Sequence, residues 1–223
     1  MNPEPTNIVC FGDSITEAAE FALEQRWPAL LQEKLDDWVS GHFTVHNRGV
    51  GGDTTACAFD RLENDVLPLL PGVLLVQFGF NDANVRDWAV VPRVGLDEFR
   101  KNLREFHRVA IARGGECAFI VNHTIARVAG GQGNNRSYND NFGPYNAAIR
   151  EVARTCAAPM IDLPALLTQQ RLVLDQMLAE DGMHLSVSGN RIYADLVFAV
   201  LRQMLAQAGN ETRMFGPGAQ KRW

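Results

Sequence analysis

The sequence predicts an α/β protein, a three-layer α/β/α arrangement in which a parallel sheet of five strands is covered by helices on both faces. Three observations carry this. Short apolar runs alternate with stretches whose apolar residues recur every three to four positions, the helical spacing. The run Val73–Phe78 has no polar alternation, which suits a strand buried on both faces. Polar and glycine-rich residues follow the successive runs, at the carboxyl ends of strands where open parallel sheets bind ligands.

Ile8–Phe11 is the first strand and ends in Gly12-Asp13-Ser14. Trp27-Pro28 opens a helix with Leu30, Leu31, Leu35 and Trp38 on its inner face. Pro28 suits a first turn, where its missing N–H costs nothing. Phe43–Val45 is the second strand, closed by Asn47-Arg48-Gly49. Asp53-Thr54-Thr55 starts a helix with Phe59, Leu62 and Val66 on one face. Val73–Phe78, between Pro71-Gly72 and Gly79, is the third strand. Leu96, Phe99, Leu103, Phe106 and Val109 mark a helix ending near Gly114-Gly115. Ala118–Val121 is the fourth strand, Pro144–Cys156 a helix, and Met160–Leu163 the fifth strand. The last helix starts at Ser188 and carries Ile192, Leu196, Val200 and Met204.

Residues 1–208 read as a single domain, without an internal repeat or a dividing linker. The 123–143 stretch is long and rich in Gly and Asn, and reads as an active-site loop. The tail, 209–223, is basic and weakly patterned. It reads as flexible or packed on a neighbouring subunit, where Met214, Phe215 and Trp223 could cover a second copy in a homo-oligomer.

The 21 Lys+Arg against 26 Asp+Glu give a net charge of −5, with no basic stripe, which argues against a nucleic-acid partner. Cys10, Cys57, Cys117 and Cys156 lie far apart with no CxxC pair. That excludes a disulfide scaffold or a cysteine zinc knuckle and fits free thiols in a reducing compartment. The start, MNPEPTNIVC, lacks a basic segment leading into a long apolar run. No window reaches the roughly 18–20 apolar residues that span a bilayer, so the expectation is a cytoplasmic protein without membrane insertion.

The chemistry gathers at the strand ends. Ser14 alone reads better as a helix-capping serine than as a nucleophile. Asp181-Gly182-Met183-His184 changes the balance: a carboxylate three residues before a histidine can hold Nδ1–H and leave Nε2 free to take a hydroxyl proton. Together they supply a nucleophile, a base and an orienter. Attack on an ester also needs donors for the developing oxyanion. Gly51-Gly52 can offer backbone N–H groups without a Cβ in the way, and Asn81 its side-chain amide. Taken singly, these are also ordinary turn residues.

Four blocks, in order along nearly the whole chain, resemble the SGNH (GDSL) hydrolases. They are Phe11-Gly12-Asp13-Ser14-Ile15-Thr16, Asn47-Arg48-Gly49-Val50-Gly51-Gly52-Asp53-Thr54, Gly79-Phe80-Asn81-Asp82 and Asp181-Gly182-Met183-His184. The resemblance implies a flavodoxin-like sheet in the order 2-1-3-4-5. It also implies Ser14 as nucleophile, His184 as base, Asp181 as orienting acid, and an oxyanion hole of the Ser14 and Gly52 N–H groups with the Asn81 amide. Leu185 stands where the family usually has Pro after His, a turn position without chemistry. The implied activity is hydrolysis of a small-molecule carboxylic ester through an acyl-enzyme, with no cofactor and no metal. Thioesterase or lysophospholipase action on the same three residues is an alternative.

Competing chemistries have less support. A GxSxG elbow, HExxH and a Walker motif are all absent, and Thr54 stands where GxGxxG needs glycine. A metal phosphoesterase built on Asp13, Asp82, Asp181 and His184 lacks a second nearby histidine. A non-catalytic carbohydrate binder would not need Ser, His and Asp together. Asp13 reads as a turn-holding residue. Cys10 reads as packing, since an apolar strand raises a thiol pKa. The pocket walls are expected from 15–26, 82–95 and 122–143, with Trp88, His123, Arg127, Arg136 and Tyr138 as substrate-pocket residues. The polar content of the last segment favours a short acyl or acetyl ester, such as an acetylated sugar.

Overall fold

In a computed structural model, which describes residues 5–126 and 131–215, the apolar runs form β1 (Thr6–Gly12), β2 (Phe43–Gly49), β3 (Gly72–Gln77), β4 (Glu116–Val121) and β5 (Met160–Asp162). All pair in parallel, in the order β2-β1-β3-β4-β5. This is the sheet expected from the sequence. Every residue of β3 is buried, which explains its lack of polar alternation. β2 is an edge strand and stays half-exposed along its length, so pairing continues through polar His46, Asn47 and Arg48 as far as Gly49.

The helices are α1 (Ser14–Glu17), α2 (Trp27–Trp38), α3 (Thr55–Asp65), α4 (Phe80–Ala83), α5 (Leu96–Ala112), α6 (Tyr138–Thr155), α7 (Leu163–Gln170) and α8 (Val187–Phe215). α2 packs on β2 and α8, while α5 packs on α3, α6, β3 and β4. With the right-handed crossovers that parallel strands favour, the step from β1 out to β2 and the step back to β3 put these two groups on opposite faces. The chain therefore reverses direction between β1 and β3, which is where open sheets of this order leave a crevice.

Beyond the longer β2 and the short α1 and α4, which the sequence reading did not include, three elements differ from it. α6 begins at Tyr138, not Pro144, because Ser137 caps it by accepting the Asp140 N–H. Pro144 sits inside the helix, where it leaves the Asp140 carbonyl without its usual donor; the Arg136 guanidinium donates to that oxygen at 3.0 Å. Leu163 opens α7 instead of closing β5: Asp162 caps the helix and Pro164 fits its first turn. α8 continues through Phe215, seven residues into the segment read as a tail, and residues 216–223 of that segment lie outside the described residues.

The core is aromatic below the site. Phe11 meets Phe78 and Phe106 edge-on, at 5.3 and 5.5 Å between ring centroids. Arg61 lies over the Phe11 ring at 4.5 Å and donates to the carbonyl oxygens of Gly12 and Arg48 and to Asp53. One side chain thus ties together the exits of β1 and β2. Trp27 is fully buried, with its indole N–H on the Ile15 carbonyl. No helix among the described residues is long and apolar enough to cross a membrane.

Candidate active site

The strand register levels the site. Gly12 pairs with Gly49 on one side and with Gln77 on the other, so β1, β2 and β3 end together. A Cβ at Gly49 would fall 2.1 Å from the Glu17 nitrogen, so α1 can lie directly on the strand ends only over glycine. Asp13 caps α1 through Oδ1, which accepts the Ile15 N–H at 3.0 Å. This is the turn-holding role expected of it. Its Oδ2 is buried without a partner among the described residues, and burial pushes its pKa up to about 7. Ser14 follows as the first residue of α1.

Ser14 Oγ lies 2.9 Å from His184 Nε2, across 170 residues of sequence. His184 Nδ1 lies 2.5 Å from Asp181 Oδ2. Asp181 Oδ1 accepts the backbone N–H groups of Met183 and His184, both at 2.9 Å. Partial burial works against the Asp181 carboxylate, but these hydrogen bonds outweigh it and hold its pKa below the usual range. The loop is closed by an antiparallel bridge between Leu178 and Leu185 and pinned to the β4 exit by the Ala126 N–H on the Gly182 carbonyl.

The residues expected to receive an oxyanion also converge here, with one difference. Glu17 accepts the Gly51 N–H at 2.6 Å, so of the two glycines only Gly52 keeps a free N–H among the described residues. Gly52 holds φ +79°, a left-handed conformation in which a side chain is strained. The Ser14 N–H and Asn81 Nδ2 likewise donate to nothing among the described residues. Arg93 donates to Asn81 Oδ1 at 3.3 Å and to the Gly52 carbonyl at 2.9 Å.

The substrate-pocket residues scatter. Trp88 is 80% exposed beneath the Arg86 guanidinium, in the loop that leaves α4 at Asn84 and returns at Arg93; Val90 and Val91 are exposed beside it. His123 is not a wall residue: it is wholly buried, with Nε2 donating to the Met183 carbonyl. Arg136 is committed to the Asp140 carbonyl. Tyr138 donates to the Phe80 carbonyl at 2.7 Å and so braces the residue before Asn81. Arg127 lies outside the described residues. Three asparagines of this segment are spent internally, while Asn135 is exposed: Asn139 brackets both backbone groups of Ile125, and Asn134 and Asn141 bond each other.

Some supporting residues escaped sequence reasoning. Beneath Ser14, Thr16 donates to Gln77, Gln77 to Asn122, and Asn122 to the Phe78 carbonyl, each at 2.8 Å. Gln77, the one polar residue within an apolar run, was the available signal. Asp82 accepts both the N–H and the hydroxyl of Thr55, which joins α4 to α3. Burial pushes the Asp82 pKa up to about 6. Among the described residues, no group of three or more His, Cys, Asp or Glu is placed to hold a metal ion.

Residues 10–192 match the GDSL-like Lipase/Acylhydrolase family. The chain is 30% identical over 204 residues to the isoamyl acetate-hydrolyzing esterase 1 homolog of Mus musculus, covering 82% of this chain and 76% of that protein. Its fold matches the lipase/acylhydrolase from Enterococcus faecalis with a TM-score of 0.71 at 24% identity, over 89% of this chain and 96% of that one. An acetyl xylan esterase, AlAXEase, matches at 0.69 and 24%, over 86% and 98%. On the four blocks, the sheet order and the match across residues 10–192, the chain belongs to the GDSL-like lipase/acylhydrolase family of ester-hydrolysing enzymes.

Proposed function

We propose that this chain is a serine esterase that hydrolyses short-chain carboxylic esters through an acyl-enzyme. The observation that carries the reading is the continuous path Ser14 Oγ, His184 Nε2, His184 Nδ1, Asp181 Oδ2, at 2.9 and 2.5 Å. His184 takes the Ser14 proton as Oγ attacks the ester carbonyl carbon. Asp181 keeps the imidazole in the tautomer that can accept this proton and stabilises the imidazolium that forms. The negative charge on the former carbonyl oxygen is received by the Ser14 and Gly52 N–H groups and Asn81 Nδ2. His184 returns the proton to the departing alkoxide, and water, deprotonated by the same ring, releases the acid. Asp13 and Asp82 support this arrangement through the turn and the α3–α4 contact rather than through the reacting atoms.

The substrate class follows from what surrounds the site. Asn134, Asn139 and Asn141 are engaged within the protein and Asn135 is exposed, while Trp88, Val90 and Val91 stand exposed on the loop that leaves α4 at Asn84. Exposed apolar side chains on this loop suit an alkyl alcohol portion better than a sugar, in keeping with the isoamyl acetate hydrolysis in the mouse relative's name. Free Cys10, Cys57, Cys117 and Cys156 fit work in a reducing compartment such as the cytoplasm.

Intact-mass spectrometry after treatment with a fluorophosphonate tests the mechanism. The expected result is one adduct on the wild-type protein, none on Ser14→Ala, and no loss of activity in EDTA. An unlabelled wild type, or Ser14→Ala turning over p-nitrophenyl acetate at the wild-type rate, overturns it. A panel of p-nitrophenyl esters then reads acyl length, with acetate to butyrate expected to exceed longer chains.

A further inference from the structure

Arg93 reaches the oxyanion site from a loop that none of the four sequence blocks includes. Its backbone is fixed first: the Arg93 N–H donates to the Asn84 carbonyl at 3.0 Å, and the next N–H, of Val94, to the Asp82 carbonyl at 3.1 Å. The loop that leaves α4 at Asn84 is therefore brought back beside α4 ten residues later. From there the guanidinium spans two strand exits. Nη2 donates to the Gly52 carbonyl at 2.9 Å, after β2, and Nη1 to Asn81 Oδ1 at 3.3 Å, after β3.

An asparagine amide is nearly symmetric in shape, but its two ends are opposite in chemistry. Nδ2 can stabilise an oxyanion, whereas Oδ1 in the same place repels it. The amide needs a neighbour to decide which end faces the substrate. A guanidinium carries donors and no acceptor, so only Oδ1 can face it. Planar and forked, it can hold Oδ1 with one nitrogen while the Gly52 carbonyl anchors the other. With Oδ1 held on the Arg93 side, Nδ2 is left on the other, without a protein partner among the described residues.

We propose that Arg93 is a positioning residue of the oxyanion hole, fixing the Asn81 amide in its donor orientation and using the Gly52 carbonyl as its anchor. This rests on the serine-esterase reading above. It adds a preorganising group to that site: the orientation of Asn81 is settled before substrate arrives, so none of the reaction's binding energy is spent on turning the amide.

The test is a double-mutant cycle on p-nitrophenyl acetate with wild type, Asn81→Ala, Arg93→Met and the double variant. Arg93→Met keeps the aliphatic stem and removes every donor. The expected result is a fall in kcat of about 10- to 100-fold in Arg93→Met with KM nearly unchanged, because the lost interaction is made in the transition state. Adding Arg93→Met to Asn81→Ala is expected to cost less than about threefold more, since the amide it orients is already gone. Arg93→Lys, with the charge but not the fork, is expected to show a smaller loss of the same kind. It also carries the test if the Met variant fails to fold. Equal losses in both backgrounds, a change in KM alone, or no change overturns the proposal. Wild-type protein that a fluorophosphonate does not label overturns the serine reading instead. Labelled wild type with no coupling between Arg93 and Asn81 overturns only the role of Arg93.

Discussion

His123 Nε2 donates to the main-chain oxygen of Met183 at 2.8 Å, which ties the exit of β4 to the residue immediately before His184. The imidazole is fully buried against the Phe80 ring, 5.1 Å between centroids. Burial lowers its pKa to about 4, so the ring is neutral at pH 7 and carries its proton on the nitrogen that donates. The contact sets the position of the 181–184 loop from behind. His123→Ala is expected to lower kcat by about 10- to 100-fold, the cost of a misplaced reacting group. His123→Gln, which restores a donor, is expected to recover much of the loss. Steady-state kinetics and the rate of fluorophosphonate labelling check this, and an unchanged rate in His123→Ala would assign the loop's position to its other contacts.

Asp181 meets three donors with two oxygens: the His184 ring on Oδ2, and the N–H groups of Met183 and His184 on Oδ1. Asp181→Asn can keep the two backbone bonds through its carbonyl. Its NH₂ then faces Nδ1 and forces the ring proton onto Nε2, the atom that must accept from Ser14. The expected outcome is a kcat lowered by on the order of 10⁴ with little change in thermal stability. A loss below tenfold would mean that another group orients the ring.

Burial makes Asp13 a source of pH-dependent stability. Its pKa is about 7 in the folded protein against an ordinary 3.8. Between these values the folded chain keeps a proton that the unfolded chain has lost. The Asp13 contribution is therefore whole below about pH 4 and is lost as pH rises towards 7. Asn mimics the protonated carboxyl and still caps a helix. The stability of Asp13→Asn relative to wild type is thus expected to grow from pH 4 to pH 8, by a few kcal/mol at most. Urea midpoints across that range measure it, and a constant difference would show that Asp13 keeps its charge when folded.

The parts of the site that were legible in the sequence lie in contiguous blocks at strand exits. Ser14, Gly52, Asn81, Asp181 and His184 each sit beside residues that mark a turn, and apolar runs mark the strands behind the first three. Residues such as Glu17 and Arg93 were not legible, because what they do depends on partners brought together only by the register of β1, β2 and β3. A glutamate in a first helical turn reads as a favourable charge, and nothing in the sequence says that its carboxylate takes the Gly51 N–H. Arg136 shows the same limit in reverse. Its charge in a polar loop suggested a substrate contact, but Pro144 had left a helix carbonyl unsatisfied within its reach.

Gly49 couples the strand register to the site. It pairs with Gly12 at the level ends of β1 and β2, and a Cβ there would fall 2.1 Å from the Glu17 nitrogen and 2.6 Å from the Glu17 Cα and the Thr16 carbonyl carbon. These are backbone atoms of α1 and cannot rotate away, so the added methyl must separate α1 from β2. Gly49→Ala is expected to destabilise the protein by about 3 kcal/mol, the upper range for overpacking. It should also lower activity further than Gly41→Ala, whose Cβ would meet nothing within 4 Å. Gly41 sits at φ +71°, so its variant registers backbone strain alone, whereas the Gly49 variant registers the shift of Ser14 away from His184. Urea unfolding and kcat on p-nitrophenyl acetate, read for both variants, separate the two effects; similar values for both would mean that α1 tolerates the displacement.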